Sequence, residues 1–402
     1  MCAWSVHVRL WRRALNVILA SIVFNAMSHV VFAGMRLAVA LDAIHIGASS
    51  AVVGLITALF ASLPAIGSVP MGRYIDRYGS RVPLLVCPIL LIICPLLAAL
   101  VPGLISLAVA SLVTGGAFLT LHIINQQLIG RLSKPQDRPA NFAIAATWIA
   151  ASSALSPMLT GFAIDHIGFR WTFAILSMVS VLSIIFLSRR VPALEPRPVS
   201  EKDAGQGSVV DLLKDPKLRR IYTINVLFAT AWDVFLFMTP IYGAAMKLSA
   251  SQIGTIIACF SGATFFVRLL TRAVSRKFTP WQVLLISLAV SGTANLAFGL
   301  TTSVTLLMFF AFTMGLGHGL ASPMMNTLFY EAAPQSRMAE VLGLRTSVSM
   351  SLQVAMPIAA GALGSVIGIA PLYWLVSALQ LGGGYSARHN WKRAKGRPAS
   401  PE

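Results

Sequence analysis

About twelve apolar stretches, each near the roughly 20 residues that cross a bilayer as a helix, recur along this chain. They fall at about 15–39, 51–70, 82–101, 104–128, 141–164, 171–187, 221–242, 253–270, 283–300, 304–330, 341–367 and 370–386. Hydrocarbon offers backbone N–H and C=O groups no water, so stretches of this length must satisfy themselves as helices. Charged residues make up only 11% of the chain, against about 25% in soluble domains. Such a chain cannot cover itself with charge and must face lipid. The last stretch carries a weak signal, because "LGGGY" interrupts it.

A net charge of +18 invites a nucleic-acid reading, but the basic residues form no patch interleaved with aromatics. They fall in alternate loops instead. Arg9, Arg12 and Arg13 precede the first span; Arg73, Arg77 and Arg81 follow the second; Arg131, Lys134 and Arg138 follow the fourth. The loop after the sixth and the C-terminal tail hold two more clusters, while the opposite loops hold little beyond Arg170 and Lys247. Positive residues mark the cytoplasmic side. Both termini and the central loop are therefore expected inside, with anionic lipid headgroups as secondary partners. The N-terminus imitates a signal peptide ending in "VFAG", but its apolar run is too long and more spans follow, so it is expected to be retained. Cys2, Cys87, Cys94 and Cys259 match neither a disulfide framework nor a zinc spacing.

Between the sixth and seventh spans lies a segment rich in Pro, Gly and charge, the composition of a linker. The expected organisation is a six-helix bundle over 1–187, a linker over 188–217, in which "VVDLLKD" can form a short surface helix, and a second bundle over 218–402. Shifting the chain by 200 residues supports this. Pro157 then meets Pro357, Gly161 meets Gly361, and Ile167 and Gly168 meet Ile367 and Gly368. Gly54, Ala58 and Phe60 meet Gly254, Ala258 and Phe260 at the same shift, and "PQDR" at 135–138 meets "PQSR" at 334–337 at a shift of 199. A near-constant offset across four spans marks two parallel repeats.

Spans 2 and 3 are joined by "GRYIDRYGSR", Gly72 to Arg81. Together with the two six-span halves and the basic central loop, it resembles the signature of the major facilitator superfamily. Gly72, Asp76, Arg77, Tyr78, Gly79 and Arg81 match that pattern and Ser80 departs from it. The resemblance implies an all-α membrane protein of twelve helices in two pseudo-symmetric bundles. It also implies that Asp76 latches onto span 11 when the cytoplasmic side is closed; Arg345, near the inner end of that span, is expected as a gate or latch partner. Gly72 is expected to allow close helix approach, and Gly79 a tight turn. The second-half copy, "TRAVSR" at 271–276, lacks both the acid and the first glycine. Ser152 and Ser156 stand where an antiporter pattern has glycine, and Ser111 where proton-coupled drug exporters have arginine.

The resemblance further implies that spans 1, 4, 7 and 10 line a central cavity. The polar residues fall in the same set: His29, His122 and His318, and Asp233, the one acid well inside a span. At about 100° per residue, Asn25, His29 and Arg36 share a face of span 1. His122, Asn125 and Gln126 share one of span 4, and His318, Ser322 and Asn326 one of span 10. Ionised groups in a membrane interior cost about 2.5–3.5 kcal/mol on insertion scales, so they usually face a cavity or a partner. "GLGHG" at 315–319 follows no strand and reads as close helix packing rather than nucleotide binding. No G-x-x-x-x-G-K-[ST] is present, which removes that route to ATP.

The expected function is secondary transport of a small organic solute by alternating access, coupled to protons. The chain is expected to act as a monomer in a cell membrane, the bacterial inner membrane, with no cofactor, metal, nucleic acid or enzymatic chemistry. Multidrug or toxic-compound efflux is a rival reading, and a non-transporting membrane sensor on the same fold is another.

Overall fold

In the computed structural model, residues 2–134, 137–188, 214–333 and 338–395 are described. The linker apart from its two ends, the first P-Q-x-R copy in part, the second copy wholly and the end of the basic tail fall outside them. Every regular element among the described residues is a helix. In chain order these are α1 (Cys2–His45), α2 (Ser50–Tyr78), α3 (Arg81–Leu100), α4 (Leu104–Leu132), α5 (Arg138–Ser188) and α6 (Pro216–Ala245). Then follow α7 (Ala250–Leu269), α8 (Thr271–Lys277), α9 (Pro280–Phe298), α10 (Val304–Ala332), α11 (Met338–Ile367) and α12 (Ala370–Lys395).

Ten of these helices are long and apolar enough to cross a membrane. One of them, α5, carries spans 5 and 6, because Gly168 leaves helical geometry at φ 77° and bends the chain there. Span 12 makes up the twelfth as α12, outside that apolar set. Gly368 holds the matching turn between spans 11 and 12 at φ 85°. Left-handed backbone of this kind strains any residue with a Cβ, which explains why the repeat keeps glycine at both places. The helix entries repeat too. Ser49 Oγ accepts from the Val52 N–H at 3.4 Å, and Ser249 Oγ from the Gln252 N–H at 3.2 Å, both satisfying an otherwise unpaired helix N–H.

The described residues form two compact units. The first contains α1–α5 with Lys247–Ala258; the second contains α6 up to Met246 and the described residues from Cys259 onward. In the first unit, Phe24, Ile75, Leu84, Leu91, Leu121 and Ile124 pack into one core, joined by Cys87. In the second, Ile221, Phe228, Leu284, Leu288, Leu328 and Phe329 form another. The outward faces are apolar as well: Ile105 is 83% exposed and Val366 82%. Exposed surface of that composition suits lipid, not water.

Lipid tails are as apolar as leucine, so helix association here depends on close packing and hydrogen bonds. Small residues provide the packing. A Cβ on Gly115 would run into the backbone carbonyl of Phe60, and one on Gly315 into that of Phe260. The two contacts are 200 residues apart on both sides. Gly317 and Gly319 are equally hemmed in, by Ser287, Ser291, Thr264 and Val267, so "GLGHG" is a packing surface as expected.

Three local expectations are corrected. α12 runs unbroken through Gly382, Gly383 and Gly384. A Cβ on Gly383 would collide with Leu227 Cδ1, so the glycine there makes room for a neighbour rather than ending the helix. Span 2 does not end near residue 70: α2 continues through "GRYIDRY" to Tyr78, and the turn falls at Gly79, at φ 82°, as expected. A basic side chain in a last turn, here Arg77, favours a helix C-terminus. The close approach expected at Gly72 is not made, since a Cβ there would meet nothing within 4 Å.

Candidate functional site

In the first unit, α1 and α4 bring Asn25, His29, His122 and Gln126 together. Asn25 Nδ2 stands 3.3 Å from His122 Nδ1, and Gln126 Nε2 stands 3.1 Å from His122 Nε2. The imidazole is thus bracketed by an amide on each nitrogen. Asn25 is buried, and its Oδ1 is enclosed without a partner. Turning an amide by 180° exchanges its oxygen and nitrogen, an assignment set by hydrogen bonding. With one amide turned, a neutral ring donates from one nitrogen and accepts at the other. With both turned, an imidazolium donates to two oxygens. The pair can therefore satisfy either protonation state.

Aromatic rings wall this cluster. His29 lies 5.2 Å from Phe118 and 5.9 Å from Phe32, while Phe118 stacks on Phe32 at 4.6 Å and tilts against His122 at 5.8 Å. Arg36 follows on α1, partly buried, one turn beyond Phe32.

The second unit reuses the two amide positions. Asn225 and Asn326 lie 200 residues after Asn25 and Gln126, and they grip Arg345 of α11. Arg345 Nε donates to Asn225 Oδ1 at 3.0 Å, and Nη1 donates to Asn326 Oδ1. Asn225 Nδ2 in turn donates to Ser349 Oγ at 3.4 Å, and the guanidinium carbon lies 5.7 Å from the centre of the Phe329 ring. Asparagine 225 was missed from sequence; its signal was its place in the repeat opposite Asn25. Arg345, expected as a gate partner, is held inside its own unit.

His318 does not join this cluster. It is buried, with Nδ1 3.0 Å from the Met314 carbonyl and 3.2 Å from Ser291 Oγ, and its ring packs against Phe228, Trp232 and Phe260. Ser291 belongs to a buried network in which Gln380 Nε2 donates to Ser291 Oγ at 3.1 Å and Asn295 Nδ2 donates to Gln380 Oε1 at 2.8 Å. His318 is thus held through Ser291 of α9, itself bonded to Gln380 of α12, while its Nε2 is enclosed with no hydrogen-bond partner among the described residues. Asp233, on α6, is 2% exposed.

Asp76 is half-buried and accepts from Arg131 Nη2 at 2.9 Å and from Gln127 Nε2 at 3.3 Å, both on α4. These partners lie in its own unit and were not foreseen. Arg73, Arg77 and Arg81 around it are exposed. At the far end of the first unit a second acid is better held. Asp165 Oδ1 accepts from the Ala250 N–H at 2.9 Å, and Oδ2 from the Ser251 N–H at 2.8 Å. These are the first residues of α7, where unpaired N–H groups and the helix dipole favour an anion. Beside them, Cβ atoms on Gly161 and Gly254 would strike the carbonyls of Ala250 and Pro157. Ser156, standing where the antiporter pattern has glycine, donates to the Val30 carbonyl at 2.6 Å.

The profile of the Major Facilitator Superfamily matches residues 15–357. The chain belongs to the Major Facilitator Superfamily. Solved members share its fold at low identity. A POT family transporter in complex with 5-aminolevulinic acid superposes with a TM-score of 0.76 at 15% identity, covering 94% of this chain and 96% of that one. A peptide transporter POT in complex with sulfate gives 0.77 at 14%, covering 96% and 98%. A bacterial homologue of the human lysosomal transporter Spinster gives 0.73 at 14%, covering 96% and 99%. The chain is accordingly an all-α, multi-pass membrane protein of a transporter family, with the twelve-helix architecture expected for it.

Proposed function

We propose that this superfamily member is a proton-coupled carrier of a small organic solute that works by alternating access between its two six-span halves, without chemistry on the solute. The observation that supports coupling most is the bracketed imidazole of His122. Its two amide neighbours allow a proton to be gained or lost without leaving a buried nitrogen unpaired, a cost of about 1–3 kcal/mol where it occurs. His29 and the Phe32 and Phe118 rings give the His122 cluster an apolar wall, and in the second unit Asp233 on α6 is the buried acid. Protein transporting the solute needs neither cofactor nor partner chain in this reading; it acts as a monomer in a cell membrane of the bacterial inner-membrane type. Asp76, with Gly79, Arg77 and Arg81, serves the cytoplasmic gate by exchanging Arg131 for the start of α11.

The test is reconstitution. Vesicles containing the protein and an internal pH dye, challenged with a metabolite panel, should acidify or alkalinise with at least one solute. His122→Gln should reduce that proton signal by about tenfold or more, while solute exchange at equal pH persists. Proton flux unchanged in the variant would remove His122 from the coupling route. Topology is checked separately: cysteines at Lys134 and in the 188–217 loop should resist a membrane-impermeant maleimide in intact cells, and a cysteine at Lys247 should react. The reverse pattern would invert the orientation.

A further inference from the structure

We propose that Arg345 binds a carboxylate of the transported solute, an inference that rests on reading the chain as a solute carrier. A guanidinium stays charged at any physiological pH and has five N–H donors in a fixed plane. In Arg345, Nε and one Nη1 hydrogen are committed to the side-chain oxygens of Asn225 and Asn326. Both partners are neutral, and among the described residues no carboxylate bonds to Arg345. Arg131 offers the contrast, since Asp76 balances it at 2.9 Å.

The remaining donors are placed for a ligand. Among the described residues, Nη2 has no hydrogen-bond partner and is not enclosed. Both Nη2 hydrogens and one Nη1 hydrogen therefore remain uncommitted among the described contacts, and parallel guanidinium N–H groups match the two oxygens of a carboxylate. Snorkelling does not account for the geometry. A snorkelling arginine extends its head toward water, whereas this one is bonded to side chains of α6 and α10 and lies near the Phe329 ring. Asparagines that hold a cation in place without neutralising it leave its charge for something else. A permanent charge in an apolar bundle is costly until an anion pairs with it, so the site favours an anionic group over its neutral counterpart.

The repeat strengthens the assignment. The same pair of positions, 25 and 126 in one half and 225 and 326 in the other, holds a titratable ring in the first unit and a fixed cation in the second. The amide pair of the first unit thus serves a group that can change charge, and that of the second a group that cannot.

Purified protein in a neutral detergent would be unfolded thermally with acetate, benzoate, glutamate and citrate, and with acetamide and benzamide as neutral counterparts. At least one carboxylate should stabilise the protein and the amides should not. Arg345→Gln should raise the half-stabilising concentration at least about tenfold, the scale of a lost charge-assisted bond, and Arg345→Lys should lose less. Asn326→Asp guards against simple misfolding: it places a carboxylate against the same guanidinium, so the fold should be as stable as wild type while the response to added carboxylate disappears. The proposal is overturned if no carboxylate stabilises the wild type, if Arg345→Gln and Asn326→Asp respond as the wild type does, or if phosphatidylglycerol alone stabilises through Arg345. Counterflow of the stabilising carboxylate in proteoliposomes separates the two readings. Binding through Arg345 without counterflow would sink the carrier and keep the site, whereas counterflow by Arg345→Gln at unchanged affinity would sink the site and keep the carrier.

Discussion

Replacing Asp233 by Asn should abolish accumulation of solute against a gradient while leaving energy-independent exchange partly intact. Asn keeps the size and most of the hydrogen-bonding capacity of the side chain but cannot carry a proton. Asp233 is almost fully enclosed on α6. Enclosure favours the protonated form of a carboxyl, and contact with water or a cation favours the ionised form. An acid that alternates between those environments takes up a proton on one side and releases it on the other. With one proton per solute, a gradient of one pH unit is worth about 1.4 kcal/mol and sustains about tenfold accumulation. In Asp233→Asn vesicles that ratio should collapse to unity, whereas counterflow of labelled solute continues. A mutant that still accumulates solute with the normal pH dependence would show that the coupling acid lies elsewhere.

What the sequence made legible was mostly what repeats. The turns at Gly168 and Gly368, and the tight crossings of Gly115 on Phe60 and Gly315 on Phe260, all obey the 200-residue shift. Apolar length and the alternation of charge sufficed for an all-α membrane fold. The first-unit cluster was also legible, because Asn25, His122 and Gln126 lie on faces that a straight helix keeps together. The second-unit cluster was not. Helical spacing groups His318, Ser322 and Asn326, yet the structure sends His318 toward Ser291 and Asn326 toward Arg345. The two residues are eight apart on α10, about 12 Å along the axis, so sharing a face does not bring them to shared partners. The network of Gln380, Ser291 and Asn295 left no periodic trace either, because both sides of a membrane helix can be apolar and three polar residues on two spans set no phase.

The acid at the far end of the first unit changes which contact should control the transport cycle. Asp165 belongs to the first six spans of the repeat and the start of α7 to the second six, so the proposed rocking of one set against the other would break the bonds to Ala250 and Ser251. Both are charge-assisted, and helix N-terminal caps of this kind are worth about 0.5–2 kcal/mol. A loss of 1–2 kcal/mol changes a two-state ratio by about 5- to 30-fold. Asp165→Ala should therefore increase by about that factor the rate at which a membrane-impermeant maleimide labels a cysteine at Thr255, in a background whose four native cysteines are serine. Asp165→Asn, which keeps one acceptor, should fall between. Asp76→Asn should change labelling at the opposite end far less, because its bond to Arg131 joins half-exposed charges, and such pairs contribute about 0.2–1 kcal/mol. If Asp165→Ala leaves the labelling rate at Thr255 unaltered, the two bonds are a helix cap and nothing more, and the conformational balance must be sought at the Asp76 end after all.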